Sequence, residues 1–174
     1  MNTTISHDGM IEFLWGKYQI EKVMIDLACA IDRGEWALYR RCLADEINVN
    51  FQRTTGFPEI RVNADLWTRC AELLLAPVRR HHMFSNFSVS IDGDVAEATV
   101  YLVARHWKAT DNGSSEFIQN GWYENKFARI NGEWKITRLL HTHQWVSGNG
   151  ALLNNSDPEA MKVMQQVFSK ENCV

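Results

Sequence analysis

Two imidazoles at opposite ends of one hairpin are the residues whose types and spacing point first to chemistry. Arg80-His81-His82-Met83-Phe84-Ser85-Asn86 leads into Phe87, Val89 and Ile91, which alternate with Ser88 and Ser90. That is the period-two pattern of a half-buried strand. Asp92-Gly93-Asp94 is a tight-turn signal, and a long run from Val95 to Trp107 returns from it. The pairing brings a histidine at the start of one strand close to His106 near the end of the other. Imidazole, with an unperturbed pKa of ~6.5, is the natural base near neutral pH. Taking a proton from a carbon beside a carbonyl, or along a conjugated system, needs such a base within hydrogen-bond reach.

His81 and His82 are adjacent, so on a strand one points inward and the other to the surface or an interface. Strict alternation gives His82 the phase of Ser88 and Ser90, and His81 the phase of Phe87 and Ile91. A β-bulge near Ser85-Asn86, or helices on one face and a dimer on the other, reconciles this with an inward His82. His82 is favoured as the base for its spacing to Asn86, with His81 in reserve. His106 closes an apolar strand, where a satisfied structural histidine is as common as a functional one.

His141-Thr142-His143 sets two imidazoles on one strand face, a spacing that can bind metal. No cysteine or carboxylate lies nearby in sequence to complete a site, so no metal is expected. Trp107, Trp122 and Trp145 suit pocket walls, although core or dimer packing is the commoner role. The sequence has no phosphate-binding glycine loop and no serine nucleophile elbow. The chemistry of the histidines calls for no cofactor.

The elements that must position these groups fit one domain. The 174 residues are 45% hydrophobic, enough for a real core, and carry a formal charge of −3. No strongly basic face is available to track nucleic acid phosphates. Cys29, Cys42, Cys70 and Cys173 show no CxxC spacing and read as reduced thiols. The first residues lack the basic-then-apolar pattern of a signal peptide, and no run approaches transmembrane length. The expectation is a cytoplasmic protein that neither enters membranes nor binds nucleic acid.

Residues 1–10 are polar and expected to be flexible. Helical spacing of Leu14, Tyr18, Ile20, Val23, Met24, Leu27 and Ile31 predicts a helix from Ile11 to Arg33, stopped by Gly34. A short helix over Trp36 to Leu43 follows, then a strand at Ile47 to Phe51 and a turn or loop from Thr54 to Pro58. Glu59 to Val62 suits a short edge strand, and Asn63 caps a helix over Ala64 to Leu75. After the first hairpin, Asn131-Gly132 joins strands over Glu116–Ile130 and Glu133–His143. Residues 11–147 form the expected domain, and 148–174 a loop and short helix opening at Pro158. Helices first and long antiparallel strands after give an α+β class: a curved antiparallel sheet with about three N-terminal helices on its concave face, forming a cone-shaped barrel.

Three residue patterns in this order resemble the nuclear-transport-factor-like superfamily and its SnoaL-like branch. They are Ala30-Ile31-Asp32-Arg33-Gly34-Glu35-Trp36; His82-Met83-Phe84-Ser85-Asn86 with Ile91-Asp92-Gly93-Asp94; and Asn120-Gly121-Trp122-Tyr123 running on to Arg129-Ile130-Asn131-Gly132-Glu133-Trp134-Lys135-Ile136. The third indicates the fold, the first two the reaction. In the branch's scytalone dehydratase-like and hexachlorocyclohexane dehydrochlorinase-like enzymes, a helix aspartate orients a strand histidine that acts as base. The resemblance places Asp32 and His82 in those roles and His106 as a second pocket histidine. Gly121 and Tyr123 stand where a serine and an asparagine occur, which implies a different substrate. Tyr18, Phe84, Trp107, Trp122 and Tyr123 are the implied substrate-binding side chains. Asp32 also fits a bland role, capping the helix end or pairing with Arg33 or Arg40.

The resemblance thus implies a cofactor-independent dehydratase, isomerase or cyclase acting on a small hydrophobic polyketide-, steroid- or terpenoid-like metabolite, in a homodimer or homotrimer. The rival is a non-catalytic ligand-binding or accessory subunit of the same fold, such as the small subunit of a ring-hydroxylating dioxygenase. That rival predicts no coupling between Asp32 and His82 and a large hydrophobic surface for a partner.

Overall fold

The computed structural model describes residues 6–154 and 156–174. Helix α1 (His7–Arg33) is opened by Ser6, whose hydroxyl accepts the Gly9 N–H at 3.1 Å, so it begins ahead of the expected Ile11. Residues 1–5 of the expected flexible terminus lie outside the described residues. Gly34 ends α1 in the left-handed region at φ 71°, and α2 (Trp36–Arg41) turns back at once. Strand β1 (Leu43–Asn50), a single turn α3 (Gln52–Thr55), strand β2 (Ile60–Asn63) and α4 (Ala64–Leu75) follow. The α3 turn falls partly where the sequence suggested a loop. Long strands β3 (Arg79–Asp92), β4 (Val95–Thr110), β5 (Gly113–Ile130) and β6 (Glu133–Gly148) complete the sheet, and α5 (Pro158–Val167) is followed by a 3₁₀ turn at Lys170–Asn172 and a bridge from Cys173 to Ile60.

The curved sheet has the order β2-β1-β6-β5-β4-β3 and stays open, with β2 and β3 as its edges. Neighbours are antiparallel except for β1 and β6, which run parallel because the chain crosses over through the later hairpins. The expected α+β class holds, with this one parallel pairing in an otherwise antiparallel sheet. Buried Ala96, Ala98, Val100, Leu102 and Ala104 alternate along the inner face of β4 and meet Ile20, Met24, Leu27 and Ile31 of α1 in one core. Burial of each large aliphatic chain contributes roughly 1.5–3 kcal/mol, which is what holds α1 on the sheet.

Strand β3 carries an irregularity that matters to the site. Ser85 pairs with Tyr101 but Ser88 with Thr99, so β3 holds one residue more than its partner there. Asn86 takes that distortion at φ 50°, a conformation asparagine tolerates better than most residues. The bulge lets His82 and Phe84 share the inner face with Phe87, Val89 and Ile91, while His81 and Met83 are exposed. The sequence parity conflict resolves in favour of His82.

The region from α3 to α4 meets the C-terminal segment around α5. Phe57, after α3, stacks on Phe168, after α5, with ring centroids 4.6 Å apart. An Arg69–Glu159 ion pair at 2.5 Å joins α4 to α5. Among the described residues, no helix is long and apolar enough to cross a membrane.

Candidate active site

The last turn of α1 and the first half of β3 place a carboxylate against an imidazole. His82 Nδ1 lies 2.7 Å from Asp32 Oδ1, and the His82 backbone N–H donates to both carboxylate oxygens at 3.0 and 3.1 Å. The His82 side chain is 6% exposed and that of Asp32 22%. Burial pushes the Asp32 carboxyl up, but the ring bond, the amide bond and the charge of His82 together hold it below its usual range. An ionised Asp32 accepts a hydrogen bond from Nδ1–H, so the neutral ring carries its lone pair on Nε2.

Beside this pair lies a cavity of about 380 Å³. Its walls are largely apolar, with Ile31, Phe51, Trp67, Leu75, Leu102 and Phe117 among them. His106 lines it as well, its ring 5.6 Å from that of His82. Burial, and then the neighbouring His82, push the His106 pKa down to about 4. His106 is therefore a neutral imidazole at pH 7, and its Nδ1 is buried without a protein partner. Tyr123 also lines the cavity, and burial raises its pKa so that it keeps its proton. Phe84, an expected substrate contact, packs against the rings of His82 and Tyr123 at 6.4 and 5.7 Å and supports them without lining the cavity itself.

Of the expected substrate contacts only Tyr123 lines the cavity, and three others lie well away from it. Tyr18 is 54% exposed and stacks on Trp15, because it lies about 200° around α1 from Gly16 and from Ile20, the residues on either side of it that are buried against the sheet. Trp107 points away from the cavity and lies under Arg79, whose guanidinium is 5.5 Å from the ring. Trp122 lies beside exposed Tyr101 on the outer face, ring centroids 6.0 Å apart. Both corrections follow from strand alternation: a neighbour of inward His106 or Tyr123 must face outward.

The structure adds residues the motifs did not single out. His141 is buried, lines the cavity, and accepts or donates at 3.2 Å with the Thr54 hydroxyl. Gln119 lines the cavity too and donates to the same hydroxyl at 3.3 Å. Burial, with nearby His143, lowers the His141 pKa to about 4. The signal for both was present in the sequence: Gln119 shares strand phase with Tyr123, and His141 pairs with Tyr123 across β5 and β6. Tyr39 reaches the cavity with its hydroxyl accepting the Trp67 indole N–H at 2.8 Å. Cys70 lines the wall, but burial pushes its thiol up to about 12, which leaves it unreactive. Among the described residues, no group of three or more His, Cys, Asp or Glu side chains is arranged to hold a metal ion.

A more open groove of about 460 Å³ lies on the outside of the sheet, with Glu97, Glu124, Lys126 and Arg138 on its walls. Its charges are partly paired, Lys126 with Glu97 at 3.0 Å and Arg138 with Glu59 at 2.6 Å. It contains none of the histidines.

Comparison with known proteins agrees with this architecture. Residues 12–139 match the profile of the SnoaL-like domain. An uncharacterized protein of Mycobacterium tuberculosis is 25% identical over 126 residues, covering 72% of this chain and 84% of its own. A crystal structure from Kribbella flavida superposes with a TM-score of 0.76 at 22% identity, covering 80% of this chain and 97% of the other. A hexachlorocyclohexane dehydrochlorinase of type 2 gives 0.68 at 14% identity, covering 80% and 92%. A candidate scytalone dehydratase from Novosphingobium aromaticivorans gives 0.67 at 17%, covering 78% and 89%. Structural likeness at these identities speaks to the fold alone. Since the profile spans most of the chain, from the first helix through the sheet that carries the Asp32–His82 contact, the protein belongs to the SnoaL-like domain family.

Proposed function

We propose that this protein is an enzyme of the dehydratase or isomerase type, acting without a cofactor on a small hydrophobic cyclic metabolite. The observation that carries the reading is the Asp32–His82 contact at 2.7 Å on the wall of an apolar cavity. The accessory-subunit alternative gives no reason for that contact. Fold neighbours that include a dehydrochlorinase and a candidate dehydratase are in keeping with it.

In this reading His82 Nε2 removes a proton from the carbon next to a carbonyl, and Asp32 stabilises the imidazolium that forms. His106 stays neutral because of its low pKa, so the abstracted proton rests on His82. A neutral imidazole is also suited to polarise the carbonyl oxygen. The imidazolium then returns the proton. Delivered to a hydroxyl on the next carbon, it releases water and leaves a double bond; delivered to a different carbon, it completes an isomerisation.

The test is deuterium exchange followed by NMR, with cyclic ketones and β-hydroxy ketones in heavy water. Exchange at the carbon next to the carbonyl reports proton removal whether or not elimination follows. Wild type is expected to exceed buffer. His82→Ala and Asp32→Asn should each lose on the order of 10²–10⁴-fold, and His81→Ala should match wild type. Exchange no faster than buffer across the series, or full activity in His82→Ala, refutes the reading.

A further inference from the structure

Helix α1 buries one face on the sheet and leaves a second apolar face open. Gly16 is buried, and Ile20, Met24, Leu27 and Ile31 join the core. On the opposite side Ile11 is 54% exposed, Trp15 58% and Ile25 47%. Tyr18 lies among them, its ring stacked on that of Trp15 at 5.5 Å. Single apolar side chains scattered over a surface call for no explanation, but a contiguous row does.

The row has a register. Ile11, Trp15, Tyr18, Lys22, Ile25 and Cys29 recur at alternating steps of four and three residues, the seam spacing of paired helices. Over these residues α1 runs for roughly 27 Å. With Met10 and Leu14 beside the seam, half-exposed side chains of this size leave on the order of 600 Å² of apolar surface open. Two such faces pressed together bury on the order of 1,200 Å², the lower end of the range for a specific protein–protein contact. The flanking charges are answered within the helix, Lys17 by Glu21 at 2.8 Å and Lys22 by Asp26 at 2.5 Å. Pairing therefore leaves none of these four charges without a partner.

We infer that this face of α1 is an interface for a second copy of the chain, docked antiparallel about a twofold axis that passes near Tyr18. That axis sets Ile11 against Ile25, Trp15 against Lys22, and Tyr18 against its own counterpart. Aliphatic meets aliphatic, and the lysine lies over an indole, a favourable cation–π arrangement. Glu12 approaches Asp26 of the second copy, whose charge Lys22 already holds. A parallel pairing would set Lys22 against Lys22 at the seam and align the two helix dipoles. An anionic bilayer is disfavoured as the occupant, because Asp8, Glu12, Glu21 and Asp26 outweigh Lys17 and Lys22 along the helix. A larger partner chain gives no reason for a register that is its own match under a twofold. The surface is separate from the outer sheet face of Tyr101 and Trp122, and the inference does not depend on the proposed reaction.

The test is sedimentation velocity over about 1–100 µM protein. Wild type should exceed the monomer mass at the upper concentrations. Trp15→Glu and Ile25→Glu lie at exposed positions away from the core and should leave the circular dichroism spectrum unchanged. Each should halve the mass of the assembly and weaken association at least about tenfold. Orientation is read by cross-linking in a Cys29→Ser, Cys173→Ser background: Ile11→Cys should form a disulfide with Ile25→Cys and not with itself. A wild-type monomer at every concentration, an assembly whose mass survives both glutamate variants, or an Ile11→Cys chain that cross-links to itself each overturns the inference. A monomer that instead sediments with phosphatidylcholine vesicles overturns it as well, and assigns the face to lipid.

Discussion

Asp32 takes hydrogen bonds from both the ring and the backbone of one residue, His82, at 2.7 Å and at 3.0–3.1 Å. The backbone bond is possible because β3 is an edge strand, so the His82 N–H has no strand on its far side. A single carboxylate therefore fixes both where the strand lies and how the ring is turned. The ring's orientation is inherited from the fold, not set by an isolated ion pair.

This arrangement predicts the tautomer of His82. Asp32 as acceptor holds the proton on Nδ1, against the intrinsic preference of free imidazole for Nε2. Ring ¹⁵N NMR at pH 8 should show His82 protonated at Nδ1 in wild type and predominantly at Nε2 in Asp32→Ala. An unchanged spectrum would mean that the carboxylate does not select the tautomer.

Acid should weaken the fold in a defined window. His106 and His141 have native pKa values of about 4 against ~6.5 unfolded, so the unfolded chain binds more protons between these limits. Their contribution is fully present above pH ~6.5 and is lost as pH falls toward 4, at up to about 1.4 kcal/mol per pH unit for each residue. Asp32, whose carboxyl sits below its usual range, adds stability above that range and loses it only in stronger acid. Urea unfolding at pH 7, 5.5 and 4.5 should give a shallower pH dependence for His106→Phe or His141→Phe, by one proton each. Identical slopes in variant and wild type would contradict the neutral buried state.

The reach of the sequence is instructive at particular residues. Asp32, His82 and the bulge near Asn86 were legible because a motif and a parity conflict both constrain them. Tyr18 lies outside the cavity because α1 carries two apolar faces: Gly16, Ile20, Met24, Leu27 and Ile31 meet the sheet, whereas Leu14 and Tyr18, four residues apart, share a face left exposed. Trp107 and Trp122 carried a signal of aromatic type alone, and alternation from His106 and Tyr123 already assigned them to the outer face. The Gln119–Thr54–His141 chain joins residues as far as 87 positions apart. No local pattern encodes that meeting.

Gly121 is irreplaceable for a steric reason. A Cβ there would stand 2.0 Å from the Thr142 carbonyl oxygen and 2.6 Å from His143 Cα, both backbone atoms, where the β5–β6 register shifts. Gly121→Ala should cost about 3 kcal/mol or more and disturb the strand that carries His141. Gly150→Ala, whose nearest contact would be an ordinary 3.9 Å, should be nearly neutral. Denaturation midpoints of the two variants settle the comparison.

Asn86 tests the cost of the bulge. Its φ of 50° suits asparagine or glycine and is strained for a β-branched residue. Asn86→Gly should leave stability within about 0.5 kcal/mol, whereas Asn86→Val should lose about 1–2 kcal/mol. Equal midpoints for the two variants would show that the backbone there is not constrained.

The same extra residue bears on how this gene can change in length. With Asn86 removed, Phe87 would stand opposite Val100, and every pair on either side, Ser85 with Tyr101 and Ser88 with Thr99, would keep its present partner. His82 would still face inward after the loss of one codon, and only the bend of the strand would be given up. A codon gained between His82 and Ser85 has the opposite effect, turning the proposed base out to solvent while leaving the hydrophobic half of β3 in place. Single-codon changes in this strand are therefore unequal: one flattens the wall of the cavity, the other empties it of its base.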